Sequence, residues 1–210
     1  MDKYPDYSEL KKSETEGKDY IIRSRNIQSC IAVLAPHGGG IEPGTLDIAD
    51  QIAGNDFSFY AFTGLKNSGN SDLHIDSTHY NEPVCLEITE DASTVLTVHG
   101  CRDEKEVVYI GGRHLELKLK LSFALKNTGF NIIDCKDKNL KGSSEKNICN
   151  RGKSKKGVQL EISIGLRRKM FPDMQSGCSR KSAAFYQFTD SIRSVLLDEN
   201  KKLNSPENED

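Results

Sequence analysis

An α/β protein is the fold class this sequence predicts, on three observations. Short apolar runs that read as strands alternate along the whole chain with runs of helical periodicity. Glycine or proline separates most of them, as it does where elements end. The 210 residues are enough to cover both faces of a sheet with helices in one domain.

The elements follow in order. Asp6 with Glu9 three residues later has the form of a capping box and predicts a short helix to about Glu16, stopped by Gly17. The runs YIIRSR and CIAVLAP predict two strands. Thr45 is placed to cap a helix in which Leu46, Ile48, Ala49, Ile52 and Ala53 recur at helical spacing, ended by Gly54. FSFYAF predicts a strand, and TGLKNSGNSDLHIDSTHYNEP a long polar loop, of a length that compact domains keep for function or motion. Pro83 suits the first turn of a helix. TVLTVHG and VVYIGG read as strands, HLELKLKLSFALKNTG as an amphipathic helix with a glycine stop, and FNIID and VQLEISI as strands. A last helix is predicted from about Ser179 to Leu197, so residues 1–197 form one domain and 198–210 a polar, frayed tail.

Charge and composition narrow the function classes. A net charge of -2 provides no global attraction for nucleic acid or an anionic membrane, and no run approaches the roughly 20 apolar residues that span a bilayer. The opening MDKYPDYSELKKSETEGKDY lacks the apolar stretch and cleavage site of a secretory signal, which predicts a protein that is cytoplasmic as synthesised. Six cysteines without a CxxC pair are expected to be reduced and mostly buried. The charge is unevenly spread: Lys136 to Lys156 holds eight basic residues (Lys136, Lys138, Lys141, Lys146, Arg151, Lys153, Lys155 and Lys156) against Asp137 and Glu145.

Several residues are candidates for chemistry. IAVLAPHGGGIEPGT runs from a strand into His37, three glycines and Glu42, at the strand end where open α/β sheets place ligands. Imidazole and carboxylate are both zinc donors, and a catalytic zinc takes three protein ligands. The segment alone also fits a phosphate cradle or a plain flexible turn, although the lysine of a phosphate loop is missing. TVLTVHG repeats the arrangement and offers His99 as the third donor, the alternative being a strand-end histidine bonded to a carbonyl. His37, Glu42 and His99 are therefore the candidate metal ligands. His74 and His79, in the long loop, are candidates for contact with substrate or support of the ligands; His114 opens a helix and is expected to be structural. In GVQLEISI, alternation puts Gln159, Glu161 and Ser163 on one face, either a solvated face or the wall of a cavity in which Glu161 serves as general base. Asn150 and Arg151 offer donors for a carboxylate, or are solvated surface.

The segments VLAPHGGGIEPGT, DLHIDSTHYNEP, LTVHGC, VVYIGGR and NRGKSKKGVQLEIS, in this order from about Ile31 to Leu166, resemble the phage and Bacillus poly-γ-glutamate hydrolases, which are related in fold to zinc carboxypeptidases. The resemblance implies a three-layer α/β/α sandwich with a central mixed sheet, one catalytic Zn²⁺, and endo-type hydrolysis of γ-glutamyl amide bonds. It implies His37, Glu42 and His99 as zinc ligands, Glu161 as general base, and Asn150 with Arg151 as the pair holding a substrate carboxylate. Carboxypeptidases space the zinc histidine and glutamate as HxxE, whereas four residues separate them here. The polymer would be the partner, steered by the basic segment, with no nucleic acid or membrane, the chain acting as a monomer. Such an enzyme would meet an extracellular polymer on release by host lysis. The alternatives are another zinc amidohydrolase acting on short γ-glutamyl or cell-wall peptides, and a nucleic-acid-binding protein with structural zinc.

Overall fold

The computed structural model describes residues 2–137 and 140–205; Lys138 of the basic segment and 206–210 of the polar tail lie outside the described residues. The strands are β1 (Tyr20–Arg25), β2 (Ile31–Gly39), β3 (Ser58–Gly64), β4 (Thr94–Cys101), β5 (Val108–Gly112), β6 (Ile132–Asp134) and β7 (Gly157–Ser163). The helices are α1 (Tyr7–Leu10), α2 (Thr45–Ala53), α3 (Pro83–Asp91), α4 (Leu115–Asn127), α5 (Ile164–Met170) and α6 (Ala183–Asn204).

All seven strands join one sheet in the order β1-β3-β2-β4-β7-β5-β6. The four inner strands β3, β2, β4 and β7 are parallel. β1 joins β3 antiparallel, β5 joins β7 antiparallel, and β6 follows β5 in parallel, so the sheet is mixed. The parallel strands are covered on both faces and read as continuous apolar runs for that reason: every residue of β3 and β7 is buried.

Alternation then sorts the core into two layers. Ile31, Val33 and Ala35 of β2 pack with Ile48 and Ile52 of α2 and with Phe185, Phe188 and Ile192 of α6. Ala32 and Leu34 face the other way, toward Leu10, Leu73, Ile75, Cys85 and Ile88 from α1, the long loop and α3. The result is an α/β fold of three layers, with the catalytic candidates left at the carboxyl ends of the inner strands.

Four local expectations are modified. α1 ends after one turn: Asp6 does accept the Glu9 amide at 3.0 Å, but KKSETE beyond Leu10 has no apolar residue to bury, and an unpacked turn does not propagate. α2 is preceded by Gly44 at φ +92° with no side-chain cap, and the Thr45 hydroxyl instead donates to the Glu42 carbonyl at 2.8 Å. α4 buries Leu117, Leu121 and Leu125 but exposes Leu115, Leu119 and Phe123, so its leucines occupy both faces. α6 continues past Leu197 to Asn204. All six cysteines are free thiols, four of them buried.

Candidate metal centre

The site starts from a break in β2. A register shift against β3 between Ala35 and Gly38 turns the strand end, and Gly39 then adopts φ +64°, with a Cβ there falling 2.5 Å from the Gly64 carbonyl oxygen. Only glycine fits that approach. The loop closes when the Glu42 amide donates to the His37 carbonyl at 2.9 Å, which carries the carboxylate back beside the imidazole despite four intervening residues. Glu42 is held from the next strand as well, because its Oε2 accepts the Gly100 amide at 2.8 Å.

His37 from β2 and His99 from β4 meet this carboxylate. His37 Nδ1 lies 3.2 Å from Glu42 Oε1 and 3.1 Å from His99 Nδ1. His37 Nε2 sits 2.9 Å from the Ile75 carbonyl oxygen, which can only accept, so Nε2 carries a hydrogen and the Nδ1 lone pair of the neutral ring points into the cluster. Three electron-rich atoms thus converge with the donors of His37, Glu42 and His99 all within 4.8 Å of one another. Such a cluster calls for a positive charge at its centre. In the protein alone the charges act on one another: burial opposes the imidazolium of His37, but Glu42 prevails and raises its pKa, while burial and the His37 charge lower His99 to about 3. For Glu42 burial is again outweighed, here by the two imidazoles and the Gly100 amide, and its pKa falls to about 2. Two imidazoles and a carboxylate, largely buried and fixed by the Ile75 carbonyl and the Gly100 amide, fit a zinc ion. His99 Nε2 is buried and has no partner among the described residues.

Glu161 enters from the neighbouring strand, where β7 pairs it in register with His99. Its face is walled, not solvated: Gln159 is 3% exposed, Glu161 6% and Ser163 0%. Gln159 Nε2 donates to Glu161 Oε1 at 2.9 Å and to the Leu140 carbonyl at 3.1 Å, while Gln159 Oε1 accepts from Asn147 Nδ2 at 3.0 Å. Burial, with the Glu42 charge adding to it, pushes the Glu161 pKa to about 8. These groups open on a cavity of about 960 Å³, whose wall also includes His74, Asp76, Arg102 and Arg167.

The remaining candidates divide. His74 lies in the cavity with its ring 4.0 Å from that of His37, and its Nδ1 is 2.9 Å from Asp2. His79 is exposed and outside the cavity wall. The reading of Asn150 and Arg151 as carboxylate holders has no counterpart in the geometry. Asn150 is 1% exposed, donates to the carbonyls of Gly142 and Ser144, and accepts the amides of Arg113 and Gly157. Arg151 donates to the carbonyls of Lys146, Thr78 and Tyr80. Both donors are spent on tying loops together. Lys153, Lys155 and Lys156 are distant too: the amides of Lys153 and Ser154 bond the carbonyls of Ala92 and Ser93, just before β4, at the end of the sheet away from His99. His114 caps α4 by accepting the Leu117 amide.

One residue escapes the sequence reading. Arg167, 4% exposed on α5, donates to the carbonyls of Ile162 (3.1 Å), Pro43 (2.8 Å) and Cys101 (3.1 Å), the ends of β7, the His37 loop and β4. Its guanidinium packs so close to the Gly100 Cα that a Cβ there would come within 2.6 Å. Nothing in GLRRKM separates Arg167 from its exposed neighbour Arg168 except that it adjoins Leu166 and lies three residues before Met170, both buried.

Known proteins resemble this chain in sequence and in fold. The UPF0714 protein YndL of Bacillus subtilis (strain 168) is 35% identical over 192 residues, 90% of this chain and 75% of that protein. A bacteriophage poly-γ-glutamate hydrolase structure superposes with a TM-score of 0.91 at 30% identity, covering 96% of this chain and 100% of that one. A zinc-free, apo structure of YndL superposes with a TM-score of 0.89 at 34% identity, covering 95% and 99%. The sequence model of the poly-gamma-glutamate hydrolase family matches residues 4–191, nearly the whole described fold, and the chain belongs to that family.

Proposed function

We propose that this protein is a zinc-dependent enzyme that hydrolyses γ-glutamyl amide bonds within poly-γ-glutamate chains. The observation that carries the reading is the convergence of three donor atoms from His37, Glu42 and His99 beside the buried carboxyl of Glu161, in one cavity. The likeness to a bacteriophage poly-γ-glutamate hydrolase and to a protein that has a zinc-free form supports it.

His37, Glu42 and His99 would hold the ion, which when bound supplies Lewis acidity toward a water molecule and the scissile carbonyl. Glu161 takes the proton of the attacking water and delivers it to the leaving nitrogen. Its Oε1 is occupied by Gln159, which orients the carboxyl and leaves Oε2 for the water. The base must be ionised to act, and a cation beside it favours that form against the burial that raises its pKa. The ring of His74, tilted against that of His37 at 4.0 Å and held by Asp2, brings the long loop into the cavity wall and keeps the ligand ring in place.

With one sheet and α6 packed on it, the chain is read as a single catalytic domain, and it is proposed to act as a monomer. No helix among the described residues is long and apolar enough to cross a membrane. The test is incubation with purified poly-γ-glutamate, with and without chelator, followed by sizing. A fall to intermediate lengths that chelator abolishes is expected; release of single glutamates from the outset would overturn the endo assignment, and chelator-resistant cleavage the zinc.

A further inference from the structure

The substrate proposed above bears a carboxylate on every residue, yet the cavity has little positive charge to receive it. Among the described residues of its wall, the arginine and lysine side chains are those of Arg102 and Arg167. Arg167 is buried and its donors are committed to the carbonyls of Pro43, Cys101 and Ile162. Asn150 and Arg151 are spent on loop carbonyls, and Lys153, Lys155 and Lys156 stand at the other end of the sheet.

Arg102 differs from all of these. It follows the end of β4, three residues beyond His99, and is exposed. The acids around it are occupied elsewhere: Asp103 accepts the Tyr109 hydroxyl at 2.6 Å and the Lys105 amide, Glu104 pairs with Arg168, and Glu106 pairs with Lys169. Arg102 has no hydrogen-bond or ion-pair partner among the described residues, while its guanidinium is the planar fork that matches a carboxylate bidentately. The neutral donors around the cavity, Ser71, Ser77, Thr78, Ser143, Ser144 and Asn147, can orient a polar chain but carry no charge.

We infer that Arg102 is the specificity residue of this site, binding the free α-carboxylate of a glutamyl unit next to the scissile bond. The inference rests on the hydrolase reading and adds to it the group that distinguishes a γ-linked polyanion from an uncharged amide. Its place at the cavity wall near His99 sets the carboxylate close to the metal centre, so charge recognition is local to the reacting bond and not a property of the distant lysines.

The experiment compares wild type, Arg102→Met and Arg102→Lys on poly-γ-glutamate and on the same polymer with its α-carboxylates methyl-esterified. A charge-assisted bidentate contact is worth about 10- to 100-fold. Wild type should prefer the acid polymer by that factor in kcat/KM. Arg102→Met should lose it, mainly through KM, while its rate on the ester is unchanged; Arg102→Lys should fall between. An Arg102→Met enzyme that keeps the preference, or that loses activity equally on both polymers, overturns the role. Calorimetric binding of the acid polymer to metal-stripped protein separates this from failure of the hydrolase reading. Tenfold weaker binding by Arg102→Met supports the carboxylate site even without cleavage, and equal binding by the variant overturns it.

Discussion

Replacing Arg167 by methionine removes a buried cation that has no carboxylate ion pair among the described residues and whose Nε, Nη1 and Nη2 each donate to a carbonyl, two at strand ends and one in the His37 loop. The lost bonds span 2.8 to 3.1 Å, and Ile162, whose carbonyl takes one of them, is fully buried. Hydrogen bonds to a charged group contribute about 1.5–3 kcal/mol each, but the carbonyls of Pro43 and Cys101 adjoin the cavity and recover part of this from water. Methionine refills much of the volume and escapes the cost of burying a charge, which offsets a further share. The net loss should be about 3–5 kcal/mol. At about 2–4 °C per kcal/mol for a domain of this size, the melting temperature should fall by about 6–20 °C. Because the clasp joins the His37 loop to β4, zinc affinity should fall with it. Arg167→Lys keeps the charge but reaches fewer carbonyls, and should lie between. Thermal melts followed by far-ultraviolet circular dichroism, with zinc titrated in competition with a chelating dye, measure both. An Arg167→Met protein that melts within 2 °C of wild type and binds zinc as tightly would refute the clasp.

Other outcomes follow from the same geometry. His37→Ala and His99→Ala should each lower the zinc content of purified protein, read by elemental analysis; full content in both would remove them as ligands. Glu161→Gln should retain fold and zinc while kcat drops by about 10²–10⁴ with KM little changed, and loss of zinc would make Glu161 a ligand instead. In chelator-treated protein, folded Glu161 keeps until about pH 8 the proton that the unfolded chain releases near 4.5. Stability should therefore decline as pH rises between those values, by up to roughly 3–5 kcal/mol relative to Glu161→Gln, and parallel pH profiles of the two would contradict the raised pKa. Neutralising Lys153, Lys155 and Lys156 together should flatten the salt dependence of kcat/KM on long chains without touching the rate on short ones, as long-range steering does; an equal loss on short chains would place those lysines in the site.

The parts of this molecule legible in its sequence are those set by local patterns. Strands β2, β4 and β7 carry apolar runs that no surface element would, and the histidine-glycine ends of the first two mark where such runs stop being core. Alternation in β7 separated Glu161 and Gln159 from Val158, Leu160 and Ile162, which share the helix-covered core. What local pattern cannot show is which long-range partner consumes a polar side chain. Asn150 and Arg151 have the residue types of a carboxylate clamp, but carbonyls 5 to 73 residues away take their donors. The basic segment reads as one patch because its residues are neighbours in sequence, while the chain turns and delivers its last lysines to the opposite end of the sheet. Arg167 is the converse case, ordinary in its surroundings and decisive only because Pro43 lies 124 residues away.

The position of β7 also governs the order in which the protein becomes functional. This strand lies between β4 and β5, yet more than 50 residues follow β4 before it begins. As the chain emerges from synthesis, β1 to β4 can pair and bring His37, Glu42 and His99 together while the slot beside β4 stays open. The loop-closure entropy of inserting β7 late makes that step slow relative to the earlier pairings. Glu161, Gln159 and, directly after them, Arg167 all arrive with this one insertion. A partly made chain would therefore hold the proposed ligand set but have neither the proposed base nor the clasp, so on the proposed mechanism hydrolytic competence would appear at a single late step, together with closure of the sheet.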